Sequence, residues 1–370
     1  MSKGSAHEPA SAGDGQEKRR LVVIGNGMAG ARAVEEILAR GGAELFAITM
    51  FGDEPYGNYN RIMLSHVLSG EESHDDIYLN SLEWYVENAI VLHAGVRVDR
   101  IDRHAKLVIT DDGRAEPYDD LIIATGSRSF MPPMEGLHGP STVSGNGGLL
   151  PGVFAFRTID DTNAMIEHAT HDDHHRAVVI GGGLLGLEAA RGLQHYGLDV
   201  TVVHAPKHLM NAQLGPEGGE ILRQSMEALG IHVICGNRST AIWGPDKVRG
   251  LRLKDGAEIE CDLVVVAAGI RPNTEVALVS GLTVERAIVV DDQMRVADED
   301  DIYAVGECVQ HRGEVYGLVA PLLEQAVVLA DQITGHDRTA AYLGSRTATK
   351  LKVAGVDVAS MGLTSPEKDT

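Results

Sequence analysis

The stretch Leu21-Val22-Val23-Ile24-Gly25-Asn26-Gly27-Met28-Ala29-Gly30 decides how the rest of the chain is read. Four apolar residues, three of them β-branched, have the pattern of a parallel strand buried on both faces. Gly25, Gly27 and Gly30 then fit the G-x-G-x-x-G spacing, and residues 31–38 continue in helix formers. Gly25 allows a tight turn, Gly27 lets backbone approach a pyrophosphate, and Gly30 lets helix pack on strand. The helix start adds free N–H groups and a positive dipole end for phosphates.

A glycine turn between strand and helix also occurs with no ligand, so the motif gains weight from its recurrence. Ala177-Val178-Val179-Ile180-Gly181-Gly182-Gly183-Leu184-Leu185-Gly186 repeats both strand and fingerprint. Each fingerprint is followed by a second buried strand ending in small residues. The first is Leu121-Ile122-Ile123-Ala124-Thr125-Gly126 and the other is Leu263-Val264-Val265-Val266-Ala267-Ala268-Gly269. The chain therefore carries an internal duplication of a nucleotide-binding unit.

At 370 residues the chain has room for two domains and part of a third. No apolar run approaches the roughly 18 residues of a membrane span. Residues 1–19 are polar, without the apolar segment of a secretory signal, and read as a disordered tail. The formal net charge of −21 argues against nucleic-acid binding, which needs a basic surface. Cys235, Cys261 and Cys308 show no C-x-x-C or iron–sulfur ligand spacing, and a reduced, cytoplasmic setting is the expectation.

Residues 46–51 read as the strand after the first helix. Asp53 or Glu54 just beyond it is placed to hold a ribose hydroxyl. Asn60 and Arg61 follow, the latter able to pair with a phosphate or a flavin edge. Residues 91–99 and 106–110 suggest the strands of a hairpin. Residues 138–151, rich in Gly, Ser and Pro, read as a surface loop. The run His171-Asp172-Asp173-His174-His175 lacks the helical spacing of a metal site and reads as a solvated loop, so no metal is expected. In the second unit residues 199–204 form the strand after the fingerprint. His204 stands where a ribose-binding acid is usual. A protonated His204 would favour the 2′-phosphate of NADPH, which predicts a pH-dependent cofactor preference. Near the C-terminus a strand runs into Gly306 and Glu307, and a helix is expected over residues 321–333.

Together these residues resemble the FAD-dependent pyridine nucleotide oxidoreductases with two dinucleotide domains. Tyr59-Asn60-Arg61-Ile62-Met63-Leu64-Ser65, Gly183-Leu184-Leu185-Gly186-Leu187-Glu188-Ala189-Ala190, the run 311–321 and the run 349–358 are most similar to one group. That group is the N-terminal flavin module of the assimilatory NAD(P)H nitrite reductase large subunit. The resemblance implies an α/β, glutathione-reductase-like fold with two Rossmann-like domains and a truncated third. An FAD domain would comprise residues 20–152 and 276–340, an NAD(P)H domain residues 153–275, and the start of the third domain residues 341–370, with only about its first strand present. The chain would be a fragment or a shortened stand-alone reductase subunit.

By the same resemblance FAD is held by Gly25, Gly27, Met28, Ala29, Gly30, Asp53, Glu54, Asn60, Arg61, Val98, Ala124, Thr125, Gly126, Gly306, Glu307 and Pro321. Glu307 replaces the commoner aspartate. NADH, or NADPH, is held by Gly181, Gly183, Leu184, Leu185, Gly186, Glu188, His204, Ala268 and Gly269, with Glu188 near the nicotinamide. No reactive cysteine stands after Gly30 or near Asn60, so electrons would pass from flavin straight to an iron–sulfur or siroheme partner. The rival functions are a rubredoxin or ferredoxin reductase, the flavoprotein component of nitrate reductase, and a non-catalytic redox sensor.

Overall fold

The computed structural model describes residues 17–139, 148–171, 173–345, 349–353 and 356–360. Most of the tail and the centre of the 138–151 loop lie outside them. The first strand, Arg19–Ile24, is fully buried from Leu21 onward and sits at the centre of a five-stranded parallel sheet. Phe46–Gly52 and Val91–Ala94 lie on one side of it, and Asp120–Ile123 and Ile302–Ala304 on the other. Runs of Val, Ile and Leu fill these strands because helices and loops cover both faces.

The second sheet repeats the plan. Arg176–Ile180 is central, Asp199–His204 and His232–Cys235 lie to one side, and Leu263–Val266 and Val153–Ala155 to the other. Each unit also carries an antiparallel meander before its small-residue strand. One is Val98–Asp102, Leu107–Thr110 and Ala115–Pro117; the other is Ser239–Trp243, Gly250–Leu253 and Glu258–Glu260. The hairpin expected over residues 91–110 is thus divided differently: residues 91–94 join the main sheet, because their register continues the parallel ladder against Thr49–Gly52.

Only the outer strand breaks the symmetry. In the first sheet it is Ile302–Ala304, which returns from the far end of the sequence. The chain therefore crosses between units twice, and the crossings pair with each other: Ser127–Ser129 runs antiparallel to Ile270–Pro272. The helix Val319–Thr334 then packs on the first helix, Met28–Ala39. Ala31, Ala33, Val34 and Ile37 are fully buried on that first helix. Near the C-terminus Thr349–Val353 and Val356–Ser360 form a two-stranded hairpin, one strand more than expected. Among the described residues no helix is long and apolar enough to cross a membrane.

Candidate functional site

Both glycine turns have the same geometry. Gly25 has φ +115° and Gly181 φ +127°. A Cβ on Gly25 would stand 2.2 Å from the Ala124 carbonyl oxygen, and on Gly181 2.2 Å from that of Ala267. On Gly30 it would stand 2.0 Å from the Gly25 oxygen, and on Gly186 1.9 Å from the Gly181 oxygen. These four glycines hold turn, strand and helix together. The middle ones differ: a Cβ on Gly27 or Gly183 would meet nothing within 4 Å. The fold does not require glycine there; a ligand approaching the backbone would.

The helices that start at these turns support that reading. Met28–Ala39 and Leu184–His195 each begin with no side-chain cap and no acidic residue in the first turn. Ordinary helices satisfy these N–H groups with a side chain. Both openings suit a pyrophosphate, so the residues present fit FAD at one turn and a nicotinamide dinucleotide at the other.

Around the first turn the structure sorts the expected ligands. The segment after residue 94 runs beside the end of the second strand, through Gly95 N–H to Glu54 O (3.0 Å) and Val96 N–H to Gly52 O (2.8 Å). Val98 follows, buried at the start of the strand Val98–Asp102. Asp53 is exposed. Glu54 is engaged: it accepts from the Tyr59 hydroxyl at 2.7 Å and from Arg61 at 2.7 Å. Arg61 also donates to the Arg157 carbonyl at 2.6 Å. Of the two carboxylates, Asp53 is the more exposed and Glu54 the one engaged within the protein. Asn60 caps a short helical turn by accepting from the Ile62 N–H.

Thr125 and Gly126 are tied to Asn273 on the returning crossing. The Thr125 hydroxyl donates to Asn273 O (2.6 Å), and the Asn273 amide donates to Thr125 O (3.0 Å). Gly306 has φ +92°, and its N–H donates to the buried Gln325 side chain at 2.9 Å. Glu307 accepts from the Ser127 hydroxyl at 2.6 Å and forms an ion pair with Arg157. Arg157, Ser127, Asn273 and Gln325 escaped the sequence reading, as did Asn26, which accepts from the Tyr85 hydroxyl at 2.7 Å. Asn26 lies inside the first fingerprint but at a position the motif leaves open, and the others lie far apart in sequence, so only the fold brings them together. Pro321 is buried in the first turn of the helix Val319–Thr334. That helix start again has no side-chain cap or acidic residue, with Leu318 exposed beside it.

At the second turn Glu188 is half-buried on the helix Leu184–His195 and lies near Ser65 of the first unit. Burial pushes its carboxyl up to about 7. Between the unfolded value near 4.5 and about 7 the folded chain keeps a proton that the unfolded chain has lost. Stability therefore falls as pH rises through that window. Glu188→Gln should be more stable than wild type at pH 8, on the order of 2 kcal/mol, with the difference vanishing below pH 4.5. Melting temperatures of both chains across that range check this; parallel curves would contradict it.

The structure places His204 in hydrogen bonds of the protein's own. It is buried, its Nδ1 accepts from the Gly182 N–H at 2.9 Å, and its Nε2–H donates to Asn211 Oδ1 at 3.2 Å. This pattern needs the neutral ring, and burial pushes its pKa below the usual value. Neither nitrogen is left for a ribose hydroxyl, so the expected pH-dependent cofactor preference does not follow. Ala268 and Gly269 (φ +112°) lie at the end of the second unit's small-residue strand, beside the Gly181 turn.

Cys261 and Cys308 are buried and Cys235 is half-buried; none is in a disulfide. Burial pushes all three thiols up, away from the reactive thiolate. Of the histidine-rich loop, His171 and His174 stand beside His168, whose ring stacks on His174 with centroids 4.1 Å apart.

A family model described as pyridine nucleotide-disulphide oxidoreductase matches residues 19–328. The chain is 49% identical over 345 residues to a nitrite reductase [NAD(P)H] of Bacillus subtilis (strain 168), covering 93% of this chain and 41% of that one. It is 45% identical over 346 residues to the assimilatory nitrate reductase electron transfer subunit of the same organism, covering 94% and 43%. Among solved structures, a ferredoxin reductase from Rhodopseudomonas palustris aligns with a TM-score of 0.79 at 28% identity, covering 91% of this chain and 80% of that one. The chain thus spans about two fifths of the length of the two curated relatives.

Proposed function

The chain belongs to the pyridine nucleotide-disulphide oxidoreductase family, and from that premise we propose that it is the flavin-bearing electron-entry module of a nitrite- or nitrate-assimilating reductase. The observation that carries the reading is the duplicated open glycine turn, free at Gly27 and at Gly183. One turn, with residues 20–152 and 276–340, binds FAD; the other, with residues 153–275, binds NADH, and NADPH less readily. FAD, when bound, supplies a two-electron acceptor for hydride and passes electrons onward one or two at a time.

The protein's own part is alignment and electrostatics. Gly27 and the start of the helix Met28–Ala39 receive the FAD pyrophosphate, and Asp53 takes its ribose. Glu307, braced by Arg157 and Ser127, faces the sugar-alcohol chain. The start of the helix Val319–Thr334 lies at the flavin and favours negative charge there. Gly183, Leu184 and Leu185 receive the nicotinamide dinucleotide, and Glu188 orients the nicotinamide. His204 shapes the adenosine end as a fixed neutral ring. The acceptor is an iron–sulfur or siroheme protein or domain, and the setting is the cytoplasm.

The test is NAD(P)H oxidation by the FAD-loaded chain with ferricyanide, against nitrite alone, in wild type and in a variant carrying Cys235→Ser, Cys261→Ala and Cys308→Ala. Turnover with ferricyanide only, within about threefold in the variant, is expected because burial holds all three thiols above the usual thiol value. A loss beyond about tenfold with FAD still bound would mean that a thiol carries electrons.

A further inference from the structure

The short helix Leu64–Leu68 belongs to the first unit in sequence but packs on the helix Leu184–His195 of the second. Its contacts there follow one stripe. Ser65, whose hydroxyl donates to the Ile62 carbonyl at 3.3 Å, lies near Glu188. Leu68 lies over Gly192: a Cβ on Gly192 would stand 2.8 Å from Leu68 Cγ and 3.0 Å from Cδ2. Gly70 lies against His195, whose Nε2 would be 3.4 Å from a Cβ there. Positions 188, 192 and 195 are spaced i, i+4 and i+7, so they share one face of the helix.

Glycine inside a helix costs about 1 kcal/mol relative to alanine. At Gly192 that cost accompanies a close approach that admits a Cβ only if Leu68 shifts. Leu68 is fully buried, so it has no solvent-filled space into which to retreat. The same boundary also carries a shared apolar core, in which Tyr59, Leu64, Val67 and Ile77 join Ile159, Met165 and Leu187, and polar ties: Tyr56 to Asp160 at 2.6 Å, Arg61 to the Arg157 carbonyl, and Arg157 to Glu307. Polar pairs fix direction but yield in length. Leu68 against Gly192 is a steric stop, and it lies one helical turn beyond Glu188.

We propose that the helix Leu64–Leu68 sets the spacing between the two cofactor-binding halves, with Leu68 acting through Gly192 and Ser65 acting through Glu188 as positioning residues for hydride transfer. This rests on the reading of the second turn as the nicotinamide site. Gly192→Ala pushes Leu68, and the unit that carries it, away from the nicotinamide half. Leu68→Ala removes the colliding branch and lets the halves close again.

The experiment mixes NADH rapidly with the FAD-loaded full chain and follows flavin bleaching, giving a limiting rate and an apparent NADH affinity separately. Gly192→Ala should lower the limiting rate by about tenfold or more, with NADH affinity changed less than about threefold, since small misplacements of reacting groups cost rate. Adding Leu68→Ala should restore most of the rate. Melting of the three variants without FAD supplies a second readout: the double variant should melt above Gly192→Ala, which marks the clash as direct. Ser65→Ala, which leaves the packing intact, should slow the limiting rate several-fold and Ser65→Thr should restore it. If Gly192→Ala does not fold, the Ser65 pair decides.

A Gly192→Ala rate equal to wild type, a loss confined to NADH affinity, or no recovery in the double variant would each overturn the proposal while leaving the nicotinamide site in place. A wild-type chain whose bound FAD is not bleached by NADH would overturn the site reading and the proposal together.

Discussion

Gly27→Val should strip the chain of FAD while leaving the apo fold close to wild-type stability. The two halves of that expectation come from the same space. A Cβ at Gly27 meets nothing within 4 Å, and Gly27 has φ −78° and ψ −176°, an extended conformation that valine adopts without strain. The apo chain should therefore melt within about 1 kcal/mol of wild type, the usual range for a substitution that buries nothing and breaks no cap. In the bound state that space is where the pyrophosphate meets the backbone N–H groups of the helix start. A branched side chain there displaces the phosphates, and FAD affinity should fall by at least about a hundredfold, roughly two charge-assisted hydrogen bonds. Flavin absorbance retained after gel filtration, together with the apo melting curve, measures both. Retained FAD would refute the assignment of the first turn; a collapsed apo fold would refute the reading of Gly27 as free.

The second large effect is the mirror image. Gly183→Val should leave FAD bound and remove the response to NAD(P)H. The geometry is the same, with open space around the hypothetical Cβ, φ −85° and no cap on the helix that follows. The consequence differs because the turn lies in the other sheet. The variant should keep its flavin spectrum, and its KM for NADH should rise by about a hundredfold or more, for the same loss of phosphate contacts. Chemical reduction of its flavin by dithionite should stay intact, which separates a lost nicotinamide site from a damaged flavin site. A Gly183→Val chain with an unaltered KM would contradict the division of labour between the two turns.

Much of this architecture was legible in the sequence, for a physical reason. A turn that admits only glycine at two of three positions leaves its mark locally, and buried parallel strands leave uninterrupted Val and Ile runs. The two turns, their strands and their helices follow from residues 21–38 and 177–195 alone. What lies between the motifs was less legible. Arg157 meets Glu307 across 150 residues of chain and Thr125 meets Asn273 across 148, and nothing in either neighbourhood announces the other. Glu54 reads as a ribose ligand until the fold brings Arg61 and Tyr59 onto it. His204 reads as a titrating ribose partner until its two nitrogens are found engaged. Its position in the sequence was informative, but its chemistry depended on Gly182 and Asn211. The clasp of Leu68 on Gly192 was equally hidden, because a lone glycine inside a helix has no pattern to mark it.

In the proposed function a hydride equivalent moves from a nicotinamide on the second unit to FAD on the first, with no thiol between. An anaerobic titration of the FAD-loaded chain with NADH tests it most directly. Flavin absorbance near 450 nm should bleach in proportion to added NADH and be complete at about one equivalent per bound FAD, the stoichiometry of a single two-electron carrier. Complete bleaching only after about two equivalents would mean that a second two-electron centre, such as a redox-active disulfide, shares the electrons, and a flavin left oxidised under excess NADH would mean that the two sites do not work together.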